Sequence, residues 1–314
     1  MWKQLFIFTL LLNSSFANNR IIIKTKENTF SKLKLSNIKN KVHLYDNLNM
    51  IEYNDNIDMN QIKHALNQNE NVLYVEEDYK IYLQKTPNDK KFDLLWGLND
   101  NIFNSDIDSI KAWDTETGSK DVIIGVIDTG IDYNHEDIKD NMWINEGEIP
   151  NNKIDDDNNG YVDDIYGWDF YNNKPNGWDD DYHGTHCAGT IGAKGNNNKG
   201  VSGVMWNVKL MSLKFISNKG WGYTSDAILS QKYATKMGAH ITSNSWGGGG
   251  NSKALFEAIN EFKLKNNGVF VAAAGNEKKD NDKTPMYPCN YNLNNIICVS
   301  ATTKNNELAS FSNY

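Results

Sequence analysis

The chain has 314 residues, of which 39% are hydrophobic and 23% are charged, and it contains only five prolines. This composition excludes disordered and fibrous proteins, and the length suits one large domain or two smaller ones. The formal net charge of −8 argues against nucleic acid as a partner, because binding to phosphates requires clustered Lys and Arg.

Residues 1–17 have the pattern of a secretory signal peptide. Lys3 precedes an apolar stretch at residues 5–12, and small residues follow at Ser15 and Ala17, where a signal peptidase would cut. The alternative is a buried N-terminal helix, but a lone positive charge before a short apolar run favours export. No other stretch approaches the roughly 18 apolar residues of a membrane span. We expect a secreted monomer, extracellular or periplasmic, with no membrane attachment after signal removal.

Residues 18–85 have the pattern of a small α+β domain. Strands are predicted at 21–23, 42–45, 50–53, 72–75 and 81–83, where apolar residues run or alternate. A helix is predicted after Asp58, with Ile62, Ala65 and Leu66 on one face. Residues 86–91 are polar, contain Pro87 and lack periodicity, which predicts an exposed linker.

Strands and helices alternate over residues 92–314. Apolar runs predict strands at 122–127, 208–213, 269–274 and 296–299, and helical spacing is found at 225–237 and from Ser252 to Asn266. Short buried strands that alternate with helices are typical of a layered α/β fold with a parallel sheet. Ligands bind beyond the carboxyl ends of such strands.

Residues suited to chemistry follow these strand ends. Asp128 ends the first strand, Ser245 and a glycine run follow the 241–244 segment, and Asn276 follows the 269–274 run. A strand-end Asp alone more often caps a turn. The small residues of His183–Gly189 would allow a helix to begin close to the sheet, with a histidine within reach of Asp128. Zinc binding by His183 and His186 is the alternative, but no third ligand is apparent, so acid–base chemistry is favoured.

Four segments resemble, in order and spacing, successive signatures of the subtilisin-like serine peptidases: Asp128–Asp132, His183–His186, Ser245–Gly248 and Ala273–Asn276. The resemblance covers residues 92–314, and the preceding domain is similar to the family's inhibitory propeptide. It implies a three-layer α/β fold of subtilisin type and a secreted serine endopeptidase that is held inactive by its own propeptide. It further implies that Asp128 orients the imidazole, that His183 is the general base and acid, and that Asn276 is the oxyanion donor.

The same resemblance implies a set of substrate-binding residues. One group would pair with a peptide as an added strand and wall the pocket for the residue before the scissile bond, and it comprises Ser245, Trp246, Gly247, Ala273, Ala274 and Gly275. Gly220, Trp221 and Gly222 would flank the substrate on its other side. Because Gly and Ala leave a roomy apolar slot, we expect polypeptide substrates with a large apolar side chain at that position.

The chain departs from the family at the nucleophile. The family serine lies in a Gly-Thr-Ser motif, and no Gly-Thr-Ser is present in these 314 residues. Residues 309–314 resemble the pattern upstream of that motif, which predicts a serine beyond Tyr314, whereas Ser202 and Ser245 are poor substitutes. We expect the chain as given to be inactive. The alternative is a secreted, calcium-stabilised, non-catalytic peptide-binding relative.

An acidic insert between Asp128 and His183 predicts bound calcium. Positions one, three, five, six and nine of an EF-hand loop are matched by Asp155, Asp157, Asn159, Gly160 and Asp163. Tyr166 replaces the glutamate at position twelve, so a full EF-hand is excluded, although Asp164 could close a site. The alternative is a solvated acidic loop. The family resemblance implies a second calcium site at Asp137 and Asn197.

The three cysteines leave one pairing open. Cys289 and Cys298 are nine residues apart, and an oxidising compartment permits them to form a disulfide, but the sequence does not decide whether they do. Cys187 would then be a free thiol, which we interpret as a small buried side chain and not as a nucleophile.

Overall fold

The structure, a computed structural model, describes residues 19–54, 57–79, 86–100, 102–103, 105–248 and 250–314. The predicted signal peptide and the predicted strand at 81–83 lie outside these residues. Contacts divide the chain into two compact units, Met1–Tyr82 and Leu83–Tyr314. Within the described ranges, no helix combines the length and the apolar character that crossing a membrane would require.

The described part of the N-terminal unit is an antiparallel sheet with one α-helix. Its elements are β1 (Arg20–Thr25), β2 (Ile38–Tyr45), β3 (Leu48–Tyr53), α1 (Met59–Asn67) and β4 (Val72–Glu77), and the strand order is β2-β3-β1-β4. Asp58 begins α1 by accepting hydrogen bonds from the backbone N–H groups of Asn60 and Gln61, at 2.9 and 3.2 Å. Leu66 of α1 then packs in one apolar cluster with Ile21 and Ile23.

The second unit contains a seven-stranded sheet and four helices of the described chain. The strands are β5 (Gly118–Asp128), β6 (Gly167–Asp169), β7 (Lys174–Pro175), β8 (Asn207–Lys214), β9 (Ile241–Asn244), β10 (Val269–Ala273) and β11 (Ile296–Val299). The helices are α2 (Ser109–Thr115), α3 (His183–Gly192), α4 (Thr224–Lys236) and α5 (Lys253–Asn266). The strand order is β11-β10-β9-β5-β8-β6-β7, and every pairing except that of β6 with β7 is parallel.

Side-chain alternation along β5 separates the helices onto the two faces of the sheet. Ile124 and Val126 lie in an apolar cluster with Ala188 of α3, whereas Ile127 lies in a second cluster with Ala234 of α4. Successive residues of a strand point to opposite faces, so α3 and α4 cover opposite sides. The predicted three-layer α/β fold with a parallel sheet is confirmed.

Parallel pairing of β5, β9 and β10 places their carboxyl ends along one edge of the sheet. Asp128 is the last residue of β5, Ser245 follows β9, and Ala274–Asn276 follow β10. The helix α3 begins beside the end of β5, and a Cβ atom on Gly184 would lie 2.1 Å from the carbonyl oxygen of Gly130. Only glycine therefore permits this approach of α3 to the sheet.

One disulfide connects the loop before β11 to that strand. Cys289 and Cys298 are bonded, with their Cα atoms 5.1 Å apart. The structure thus decides the pairing that the sequence left open, and Cys187 is the free cysteine.

Candidate active site

Asp128 and His183 form a hydrogen-bonded pair at the carboxyl edge of the sheet. His183 Nδ1 and Asp128 Oδ1 are 2.7 Å apart. The side chain of Asp128 is 1% exposed and that of His183 is 47% exposed. The backbone N–H of Thr129 also donates to Asp128 Oδ1, at 2.7 Å. A carboxylate accepts only, so the proton of the neutral imidazole resides on Nδ1, and Nε2 is left as the basic nitrogen.

The surroundings of His183 favour its protonated form. Its hydrogen bond to Asp128 raises the pKa of the imidazole above its usual value, partial burial opposes this shift, and the charges of Asp128, Asp181 and Asp179 add to it. The imidazole therefore becomes a neutral base at a higher pH than an ordinary histidine.

A first open cavity, of about 320 Å³, lies at the carboxyl ends of β9, β10 and β11. It is lined by Ser245, by the chain from Ala273 to Asn276 and by residues at the ends of β9 and β11. The structure thus brings together Ser245, Ala273, Ala274, Gly275 and Asn276 of the predicted substrate-binding and oxyanion residues. Asn276 is exposed, so its side-chain amide is available to a ligand.

The other predicted substrate residues line a second cavity, of about 330 Å³. Its walls contain Gly220, Trp221, Gly222, Trp246 and Gly247. Trp246 packs here against Phe215, another wall residue, with their ring centroids 4.9 Å apart, whereas Ser245 lines the first cavity. Sequence reasoning missed the aromatic walls Phe215, Tyr223 and Tyr287, and the position of Phe215 directly after the buried run of β8 was the one available signal.

Comparisons with known proteins agree with this geometry. Residues 119–314 match the model of the subtilase family, peptidase S8. The chain belongs to the subtilase family. Subtilisin-like protease 1 of Plasmodium falciparum is 37% identical over 232 residues, which cover 69% of this chain and 33% of that protein. A thermophilic serine proteinase of a Bacillus strain is 33% identical over 250 residues, covering 80% of this chain and 54% of the relative.

A solved protease structure from Pseudoalteromonas arctica superimposes with a TM-score of 0.56 at 30% identity, over 73% of this chain and 69% of that one. This likeness supports the subtilisin-like fold. The segments matched in the two curated relatives span one third to about half of their own lengths.

Cys187, the free cysteine of this subtilase, lies between His183 and Ser245. Its Sγ atom is 3.9 Å from His183 Nδ1 and 3.6 Å from Ser245 Oγ. Burial raises the pKa of the thiol to about 11, and the charge of Asp128 adds to the shift. The thiol is therefore protonated at neutral pH, which is unfavourable for a nucleophile. His186 lines a separate cavity of about 1150 Å³, which His183 does not line.

The acidic insert brings three carboxylates together. One oxygen atom from each of Glu148, Asp157 and Asp164 lies within 4.8 Å of the others. The side-chain amide of Asn159 donates to Asp157 at 3.0 Å and to Asp164 at 2.8 Å. Burial raises the pKa of Asp164, while hydrogen bonds from Tyr233, Asn159 and Asn145 oppose that shift. Oxygen ligands of this kind fit a hard cation such as Ca²⁺.

Two other predicted ligands of the insert, Asp155 and Asp163, accept hydrogen bonds from the backbone of the loop. Asp155 accepts hydrogen bonds from the backbone N–H groups of Asn159 and Gly160, and Asp163 accepts from those of Asn152 and Lys153. Their carboxylates therefore shape the loop. Glu148 was missed, because it lies outside the EF-hand spacing and only the fold brings it to Asp157.

The two residues of the second predicted calcium site are hydrogen-bonded to each other in the structure. Asp137 Oδ1 accepts from the side-chain amide of Asn197 at 2.7 Å, and its Oδ2 accepts from the backbone N–H of Val201 at 2.9 Å. Sequence reasoning missed Asp89, a buried carboxylate that accepts from the backbone N–H groups of Asn196 and Asn197. Asp89 lies in the stretch predicted to be an exposed linker, which gave no signal of burial.

Proposed function

We propose that this subtilase is a secreted serine endopeptidase that hydrolyses polypeptides through an Asp-His-Ser triad. The observation that carries the proposal is the 2.7 Å hydrogen bond between the buried carboxylate of Asp128 and the half-exposed imidazole of His183. The names of the relatives, a subtilisin-like protease and a serine proteinase, support it.

Each residue has a defined task in the proposed reaction. The Nδ1–H of His183 donates to Asp128, which fixes the tautomer, so Nε2 accepts the proton of the attacking serine and later delivers it to the leaving amine. The carboxylate stabilises the imidazolium formed between these steps. The side-chain amide of Asn276 donates to the oxyanion of the tetrahedral intermediate.

The nucleophile is the part of the proposal that these 314 residues do not supply, since they contain no Gly-Thr-Ser. The test is to sequence the transcript beyond the codon for Tyr314, express the extended chain and incubate it with a peptide library. Hydrolysis that Asp128→Ala and His183→Ala abolish supports the proposal. Peptide binding without hydrolysis overturns it in favour of the non-catalytic alternative.

The substrate preference proposed here is for large apolar side chains. The first cavity has Gly and Ala walls, and the second is walled by Trp221, Trp246 and other aromatic residues. Burial of apolar side chains in such cavities favours binding by about 25 cal/mol per Å². A cleavage-site profile dominated by charged residues would contradict this preference.

Residues 18–85 are proposed to act as an inhibitory propeptide that is removed near residues 83–91, and the mature enzyme is proposed to be a monomer. N-terminal sequencing of active, secreted protein tests the processing step. An active form that retains residues 20–83 would contradict it, and light scattering of the same sample reports its oligomeric state.

Calcium is proposed to stabilise the insert through Glu148, Asp157 and Asp164, because three close carboxylates repel one another without a cation. Addition of a chelator should lower the melting temperature of the wild-type chain. The Asp157→Asn chain, which has one ligand charge fewer, should respond less. An unchanged wild-type melting temperature would exclude the structural role.

A further inference from the structure

The turn that precedes His183 has a disfavoured backbone conformation. Tyr182, directly before the first residue of α3, has φ 121° and ψ −22°. L-residues with bulky side chains rarely adopt such angles, which glycine tolerates. Tyr182 is 77% exposed, so burial of its ring does not account for the conformation. The surrounding structure must therefore hold this turn.

The carboxylate of Asp179 supplies the contacts that hold it. Asp179 is 8% exposed. Its Oδ1 accepts from the backbone N–H groups of Asp181 and Tyr182, at 3.0 and 3.1 Å. Its Oδ2 accepts from the backbone N–H and the hydroxyl of Thr185, at 2.9 and 2.6 Å. Burial disfavours ionisation of Asp179, but these hydrogen bonds outweigh it and keep the pKa below its usual value.

Thr129 connects Asp179 to Asp128 and to Gly184, the residue after His183. The Thr129 hydroxyl donates to Asp179 Oδ1 at 2.9 Å and accepts from the backbone N–H of Gly184 at 2.8 Å. The backbone N–H of Thr129 donates to Asp128 Oδ1 at 2.7 Å. The buried carboxylate of Asp179 thus accepts hydrogen bonds from residues on both sides of His183. Through Thr129 it is also connected to Asp128.

We propose that Asp179 is a positioning residue for the Asp128–His183 pair: its carboxylate holds Tyr182 in the disfavoured turn and thereby sets the imidazole against Asp128. Asp179 acts through the backbone and through Thr129, and hydrogen-bonds to neither side chain of the pair. The kinetic consequence rests on the proposed peptidase function, whereas the geometric consequence does not.

The charge of Asp179 also acts on the imidazole, so the experiment must separate charge from position. Asp128, Asp181 and Asp179 all raise the pKa of His183. Asp181→Asn is the matched control, because it removes a charge near the imidazole and keeps an oxygen that can accept from the backbone N–H of His183, now 3.3 Å from Asp181 Oδ1. Asp179→Ala removes both acceptor oxygens, whereas Asp179→Asn would keep one acceptor for the backbone N–H groups of Asp181 and Tyr182.

The test is ¹H and ¹⁵N NMR of the 314-residue chain with labelled histidine. We expect Asp179→Ala to abolish the downfield Nδ1 proton signal of the His183–Asp128 hydrogen bond and to lower the pKa of His183. Asp181→Asn should lower that pKa and keep the signal. Tyr182→Gly relieves the turn, so the double variant Asp179→Ala with Tyr182→Gly should regain the signal.

Three results would overturn the proposal. The first is a signal that survives Asp179→Ala, and the second is a change in the pKa of His183 no larger than that caused by Asp181→Asn. The third is a double variant that remains unfolded or lacks the signal, since that outcome assigns Asp179 to stability alone. In an extended, active chain, Asp179→Ala should lower kcat about 10- to 100-fold with KM unchanged. If the variant loses the NMR signal but the extended wild-type chain never hydrolyses peptides, the peptidase function is refuted and the positioning role stands.

Discussion

Gly184 and Gly189 offer a matched pair of substitutions within α3, the helix that carries His183. A Cβ on Gly184 would lie 2.1 Å from the backbone oxygen of Gly130, whereas ordinary contact begins at 3.4 Å. A Cβ on Gly189 would meet only Ile138 Cδ1, at 3.9 Å. The start of α3 must therefore move by about 1 Å in Gly184→Ala, because backbone cannot rotate away as a side chain can.

The two substitutions should change the free energy of unfolding in opposite directions. Alanine gains about 1 kcal/mol over glycine in a helix interior, and Gly189→Ala should show up to that gain. In Gly184→Ala the overpacking, typically about 1–3 kcal/mol, exceeds the gain, so the net effect is a loss. A 1 Å displacement of His183 should also weaken its hydrogen bond to Asp128.

Urea unfolding of both variants measures the free energies, and NMR of His183 reports the hydrogen bond. Gly189→Ala is the control for the general effect of alanine in α3. If Gly184→Ala is as stable as Gly189→Ala and retains the Nδ1 proton signal, the close approach of α3 to the sheet does not constrain the site, and the reasoning is wrong.

Three further predictions concern single side chains. Asp128→Asn should lower the pKa of His183, which its hydrogen bond to Asp128 raises in the folded state. Because of that raised pKa, protonated His183 stabilises the fold fully at low pH, and this stabilisation is lost as the pH rises through the folded-state pKa. The free energy of unfolding, measured against pH, should therefore change less with pH in the variant. Tyr233→Phe removes a hydrogen bond to the buried Asp164 carboxylate, so thermal unfolding should show a loss of about 1.5–3 kcal/mol. Asn276→Ala in an extended, active chain should lower kcat about 10²- to 10³-fold, the loss known for subtilisin itself, with KM nearly unchanged in steady-state assays.

Local signals explain what could be predicted from the sequence. Asp58 and Ser252 are both the residues before a helix in the structure, and each accepts a backbone N–H of the first turn. Their side chains act within three residues along the chain, so spacing alone reveals them. The order of Asp128, His183 and Asn276 at strand ends and at a helix start is likewise readable, because buried parallel strands leave continuous apolar runs.

Contacts between distant segments explain what the sequence did not reveal. Glu148 joins Asp157 and Asp164, and Asp89 reaches the loop that Asp137 also holds, although no fixed spacing relates these residues. The sequence analysis assigned the adjacent residues Ser245 and Trp246 to one substrate pocket. In the structure Ser245 lines the first cavity and Trp246 lines the second, where it packs against Phe215 of a distant segment.

The sequence by itself determined the layered α/β fold, the family resemblance and the residues available for acid–base chemistry, because periodicity, capping and motif order are properties of the linear chain. Only the tertiary structure decided the 2.7 Å distance between Asp128 and His183, the pairing of Cys289 with Cys298 and the turn held by Asp179. These features depend on distances between segments that are far apart in the sequence. Packing of the helices against the sheet sets these distances, and no local pattern encodes them.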